Sequence, residues 1–143
     1  LKKPRRDMAL VAIAGPLANL LMALLWALIA KLAYLLLTDA ISSPIIRTIG
    51  VFFTVAGQYG IFINCVLLIL NLLPIPPLDG SRVVSSLLPP KLSYVYNKIE
   101  PYGIWILLAL IAFRLLFIII YPPINYLNHS ILGLVGLPSL IGT

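Results

Sequence analysis

The apolar positions fall into three long blocks, each too continuous for the one-sided stripe of a soluble helix. The first runs from about Met8 to Leu37 and is interrupted only by Asn19, Lys31 and small residues. The second runs from about Thr48 to Leu73 and carries Gln58 and Asn64 inside it; the third runs from about Gly103 to Tyr121, with Arg114 near its far end. A helix needs about 20 mostly apolar residues to cross the hydrocarbon core, so each block predicts one crossing, about 8–37, 48–73 and 103–121. Gln58 and Asn64 give the second a face turned to protein, where they either hydrogen-bond to neighbouring helices or line a cavity. The last stretch holds Pro122, Pro123 and Pro138 and is too short for a fourth crossing, which predicts an interfacial or re-entrant tail over 122–143. The predicted architecture is therefore an all-α integral membrane protein with its core in residues 1–121.

Composition agrees and narrows the chemistry. Of 143 residues, 62% are hydrophobic and 10% charged, with a mean hydropathy of +1.10. A soluble fold of this size has no way to hide that much apolar surface from water. One histidine, one cysteine and four acids (Asp7, Asp39, Asp79, Glu100) are too few for most self-contained hydrolytic or metal sites. Cys65 has no partner for an internal disulfide and reads as a small apolar residue. The chain opens at Leu1 rather than Met, which predicts a start inside a longer reading frame.

The net charge of +6 is dispersed around the apolar blocks, which fits membrane flanks and not a nucleic-acid face. Lys2, Lys3, Arg5 and Arg6 precede the first block, and Arg82, Lys91 and Lys98 lie between the second and third. The loop after the first block has only Arg47, with Lys31 in snorkelling reach. The positive-inside rule then puts the N-terminal flank and the Pro74–Tyr102 segment in the cytoplasm. Arg114 is expected to snorkel, and Tyr94, Tyr96, Tyr102, Trp105, Tyr121 and Tyr126 to form aromatic belts at the ends of the spans.

The most informative stretch is Asn71-Leu72-Leu73-Pro74-Ile75-Pro76-Pro77-Leu78-Asp79-Gly80. Three prolines in four residues cannot continue a helix, because each lacks a donor and disfavours helical geometry in the residue before it. The second span is thus broken near its cytoplasmic end, and irregular backbone at that depth survives only where protein buries it or water reaches it. Asp79, just past the break, either serves a functional site or caps a helix beginning at Gly80. Asn71 either faces the same cavity as Asp79 or caps the end of the span.

This pattern, N-x-x-P-x-P-x-x-D-G at the end of a span, resembles a signature of the site-2 proteases, the M50 intramembrane zinc metalloproteases. Ala14-Gly15-Pro16-Leu17-Ala18-Asn19, behind the basic lead-in Pro4-Arg5-Arg6-Asp7-Met8, is similar to the start of an earlier span in compact bacterial members that lack a PDZ domain. The resemblance covers about Pro4 to Tyr102. It implies that Asp79 is the third ligand of one zinc ion and that Asn71 positions substrate or stabilises the oxyanion. It also implies a cavity or packing role for Gly15, Asn19, Pro74, Pro76 and Gly80, and transmembrane proteins as substrates within the lipid.

The chain departs from the family in lacking H-E-x-x-H, whose two histidines and glutamate supply the other zinc ligands and the general base. The only histidine, His129, falls beyond the third block and reads as an interfacial polar residue, since the charge bias puts it across the membrane from Asp79. The protease reading therefore needs two histidine ligands from outside these residues, and the 143 residues alone are not competent. Gly15 and Asn19 suit close helix packing as well as a place at the site. The competing reading is a pseudoprotease or scaffold that binds transmembrane partners without metal; a channel or transporter subunit ranks below it for want of an internal repeat. Substrate identity and oligomeric state have no signal in the sequence.

Overall fold

A computed structural model describes residues 4–38 and 43–140. Lys2 and Lys3 of the basic lead-in, and the acid Asp39, lie outside the described residues. Everything regular among the described residues is helical: α1 (Pro4–Thr38), α2 (Pro44–Leu72), α3 (Asp79–Leu87), α4 (Pro90–Asn97), a 3-10 turn (Glu100–Tyr102), α5 (Gly103–Ala112) and α6 (Leu115–Val135). Of these, α1, α2 and α6 are long and apolar enough to cross a membrane. Their outward faces are large and greasy, as at Leu21, Leu28, Phe52 and Ile118, which suits lipid as the surrounding solvent.

The third crossing-length helix is displaced from the sequence expectation of 103–121. Its first part forms the short α5, which ends at Ala112; Phe113 closes the turn, and Arg114 takes a left-handed backbone conformation with φ of 58°. Arg114 thus stands at a junction between helices and not near the end of a span. The crossing-length helix starts at Leu115 and runs through Pro122 and Pro123 to Val135, so most of the predicted tail is helix. Prolines at those positions free only the carbonyls of Ile118 and Ile119, a loss that membrane helices absorb. Tyr121 and Tyr126 consequently lie inside α6 instead of at the end of a span.

The chain divides into two compact units. One comprises residues 1–18 and 67–122, the other 19–66 and 123–143. In the second unit the core is a stripe of small residues. Ala23, Ala27, Ala30 and Ala33 of α1 are buried at helical spacing, and Thr54, Gly57, Gln58, Ile61 and Cys65 form a matching buried face on α2. A Cβ on Gly57 would come within 2.6 Å of Ala30 Cβ, so the two backbones approach as closely as small residues allow. Lipid tails give helices no hydrophobic reason to associate, so this close backbone approach supplies the packing energy. At its far end α6 closes with Gly136 at φ of +63°, Leu137 N–H donating to Leu132 O and Gly136 N–H to Gly133 O. This is a Schellman turn; Leu137 is buried by it, and Lys31 Nζ stands beside Gly136 as a cation at a helix C-terminus.

Candidate active site

The candidate residues of the first unit gather around the break after α2. The last turn of α2 closes with Leu73 N–H on Leu70 O, and the prolines end the ladder there. Residues 73–78 form a tight loop in which Leu78 N–H bonds Ile75 O and Ser81 N–H bonds Leu78 O. Two elements brace it from outside. Tyr96 of α4 donates its hydroxyl to Pro74 O, and Gly103, at the start of α5, lies so close to Pro76 O that any side chain there would collide with it. Pro76 is buried and Pro74 exposed, so the loop is wedged against protein on one side only. Burial raises the Tyr96 phenol above its ordinary value, which keeps it protonated as a donor.

The loop returns on itself. Gly80 rests directly on the carbonyls of Leu72 and Leu73, where a Cβ would overlap main-chain atoms. That contact puts Asn71 and Asp79 each one residue along the chain from the same point. Asp79 is the first residue of α3, and the cap position belongs to Leu78, with no side-chain cap bond. The capping alternative for Asp79 is therefore set aside. Its half-buried carboxylate lies over Gly15 of α1: a Cβ built on Gly15 would sit 2.5 Å from Asp79 Oδ2. Among the described residues the carboxylate has no hydrogen-bond or ion-pair partner, and the same holds for the half-buried Asn71 amide, which rules out a side-chain cap on α2. Asn19 is one turn beyond Gly15 on α1 and half-buried. A pocket of about 230 Å³ beside the loop is lined by Met8, Pro76, Pro77, Ser81, Ser85 and Glu100, a recess with mixed polar and apolar walls.

The remaining polar residues follow the expectations in part. Asn64 Nδ2 bonds the carbonyl of Gly60 one turn back on its own helix, so this donor does not bridge helices. Gln58 bonds the irregular segment after α6 instead of another helix, donating to Pro138 O at 3.0 Å and accepting from Leu140 N–H at 2.9 Å. His129 lies exposed on α6 with Nδ1 against Asn125 O, and Cys65 is fully buried and free. Tyr96 and Gly103 were not foreseen; both act on main-chain carbonyls more than 20 residues away in sequence, for which local pattern carries no signal.

The profile of Peptidase family M50 matches residues 46–114, which include the whole of the loop and Asp79. This match supports membership of peptidase family M50. It is also 36% identical over 136 residues to a Bacillus subtilis (strain 168) protein named "Putative zinc metalloprotease YwhC", an alignment that takes in 93% of this chain and 58% of that protein. The chain thus spans somewhat more than half the length of this curated relative. No solved structure matches it. A multi-pass membrane location fits the three apolar helices.

The fit of a zinc ion is partial. Asp79 offers what a metal ligand needs, a half-buried carboxylate that no protein donor has claimed. No group of three or more His, Cys, Asp or Glu side chains comes together among the described residues. The described residues offer one candidate oxygen ligand and not a complete site.

Proposed function

We propose that the chain is the C-terminal part of an intramembrane zinc metalloprotease that cuts transmembrane proteins near the cytoplasmic face. The carrying observation is the unclaimed Asp79 carboxylate, seated on Gly15 at a proline-broken span. In this reading Asp79 supplies one oxygen ligand, and the other two come from histidines outside the 143 residues. Zinc, when bound, contributes a water of lowered pKa. The chain's own residues do the rest. Gly15 and Gly80 let α1 and α2 approach the carboxylate closely enough to fix its direction. Asn71, with an amide free to donate, faces the peptide carbonyl on which negative charge develops. The loop between them holds the span open, so water reaches a depth that lipid otherwise excludes. The N-terminal flank and the Pro74–Tyr102 segment are cytoplasmic in this arrangement.

The test is zinc content and cleavage of a transmembrane reporter by the intact, membrane-embedded protein. Asp79→Ala is expected to lose metal and cleavage together, and Asn71→Ala to lose cleavage while keeping the metal. Full activity of Asp79→Ala sinks the reading. A folded Asp79→Ala that still binds its transmembrane partners, in a protein that never cleaves them, points to the scaffold.

A further inference from the structure

Gln58 is 1% exposed, yet its side chain does not serve its own helix. Its amide donates to Pro138 O and accepts from Leu140 N–H, bonding one residue's carbonyl and the N–H two residues further on. A residue in a parallel β-strand pairs with its neighbour through the same two groups. The side chain therefore acts as one residue of a strand, and because both of its hydrogen bonds go to main chain, the pairing is indifferent to sequence. Residues 137–140 are non-helical, and the Schellman turn at Gly136 delivers them to this position.

A second observation shows that the segment does not use the site fully. Thr54 lies one turn before Gln58 on α2 and lines, with Gln58, Pro138 and Leu140, a pocket of about 190 Å³. Its Oγ1 is buried with no hydrogen-bond partner, not even the carbonyl four residues back that a helical threonine usually takes. Pro138 carries no N–H, so the strand in place offers one main-chain donor fewer than an ordinary strand would.

We propose that Gln58 is a main-chain clamp for an extended polypeptide, filled in cis by Pro138–Leu140 and open in trans to an unwound stretch of a transmembrane substrate. An unwound stretch in lipid has main-chain groups without partners, each costing several kcal/mol, so it gains more from such a clamp than any segment arriving from water. The choice of occupant rests on the proteolytic reading; the clamp itself rests on the geometry of Gln58 and Thr54.

The test uses the intact protein in phosphatidylcholine–phosphatidylglycerol vesicles, with Val55→Cys and Leu140→Cys in a Cys65→Ala background, which leaves Gln58 and Thr54 in place. Both cysteines line the pocket, so their cross-linking reports the cis segment at its site. The competitor is a Leu-rich transmembrane peptide of about 24 residues with a central Gly–Pro pair, compared with one of the same length without it. The Gly–Pro peptide is expected to lower cross-linking about fivefold, the factor that one additional buried hydrogen bond supports, and the all-helical peptide to leave it unchanged. Pro138→Ala restores the missing donor and is expected to blunt the competition, and Gln58→Met to abolish the difference between the peptides. Equal effects of the two peptides, or none at saturation, overturn the clamp, and the unsubstituted-Gln58 measurement decides this even where Gln58→Met fails to fold. Neither zinc nor cleavage enters the readout: exchange without cleavage supports the clamp and counts against the proteolytic reading, whereas cleavage without exchange overturns the clamp alone.

Discussion

Gly15→Ala separates the position of Asp79 from the stability of the helix that carries Gly15. The added Cβ would stand 2.5 Å from Asp79 Oδ2, and ordinary contact begins near 3.4 Å, so the carboxylate has to move by about 0.9 Å. The atom in the way is the end of a short side chain, which rotates at little cost, and Asp79 Cγ, at 3.6 Å, already clears. Alanine in the interior of α1 gains about 1 kcal/mol of helix propensity over glycine, so the variant is expected to fold at least as well as the parent. The displaced carboxylate is another matter, because misplacing a reacting or ligating group by about 1 Å costs on the order of a hundredfold in rate. Thermal unfolding, zinc titration and reporter cleavage, measured on one preparation in vesicles, give the comparison. Gly133→Ala is the control, since a Cβ there meets nothing within 4 Å. The expected result is an unchanged or higher midpoint for both variants, with weakened zinc binding and cleavage in Gly15→Ala alone. Parental zinc affinity and cleavage in Gly15→Ala would refute the placement of Asp79 over Gly15, and so would a loss of folding that accounts for the lost activity.

Gly80→Ala presses on main-chain carbonyls of Leu72 and Leu73 that cannot rotate away, so it is expected to destabilise the first unit by about 1–3 kcal/mol, read as a lowered unfolding midpoint. Tyr96→Phe removes the donor to Pro74 O and is expected to cost about 1 kcal/mol and to increase proteolytic nicking of the 73–78 loop. Burial raises the Tyr96 pKa in the folded protein, so this brace is complete below the phenol's ordinary value of about 10 and is lost only as pH climbs through the raised value. Between neutral pH and that point, the difference between Tyr96→Phe and the parent is expected to stay flat, and a difference that shrinks near pH 7 contradicts the assignment. Thr54→Val keeps the shape of the side chain and deletes a buried hydroxyl without a partner, so it is expected to stabilise the chain by about 1 kcal/mol in thermal unfolding.

The sequence carried the parts of this molecule that local chemistry decides. Continuous apolar runs marked α1 and α2 as crossing-length helices, and three closely spaced prolines marked the break after Leu72. Asp79 stood out because an acid is costly so close to the membrane. What was not legible depends on partners distant in sequence. The end of α5 has no proline or glycine to announce it: Ala112, Phe113 and Arg114 read as helix, and only the left-handed backbone of Arg114 shows the junction. Gln58 and its partners are separated by 80 residues or more, so its role as a strand mimic has no local trace. The small-residue face of α2 is legible in hindsight from Gly57 and Cys65 at a helical repeat, but large apolar neighbours on the other faces dilute the signal.

The two proline clusters show why the break occurs where it does. Pro122 and Pro123 are adjacent and free two neighbouring carbonyls, after which twelve further residues of α6 resume the ladder and close it with a Schellman turn. Pro74, Pro76 and Pro77 are staggered, so that Leu73, Ile75 and Pro76 are all pushed out of helical geometry in turn, and no ladder resumes until Asp79. Such a break persists only if the freed carbonyls find other donors. Leu70 O does so through Leu73 N–H, and within the loop Tyr96 serves Pro74 O, Leu78 N–H serves Ile75 O, and both the N–H and the hydroxyl of Ser81 serve Leu78 O. Those donors come from the loop itself and from α3 and α4, so the short helices after the break hold it open. With these carbonyls served, Asp79 and Asn71 are left, among the described residues, as polar side chains without partners where the loop closes, one an anion and the other an amide donor. Two such groups at half-buried positions suit a site that accepts a cation and a polarised carbonyl, the roles proposed for them.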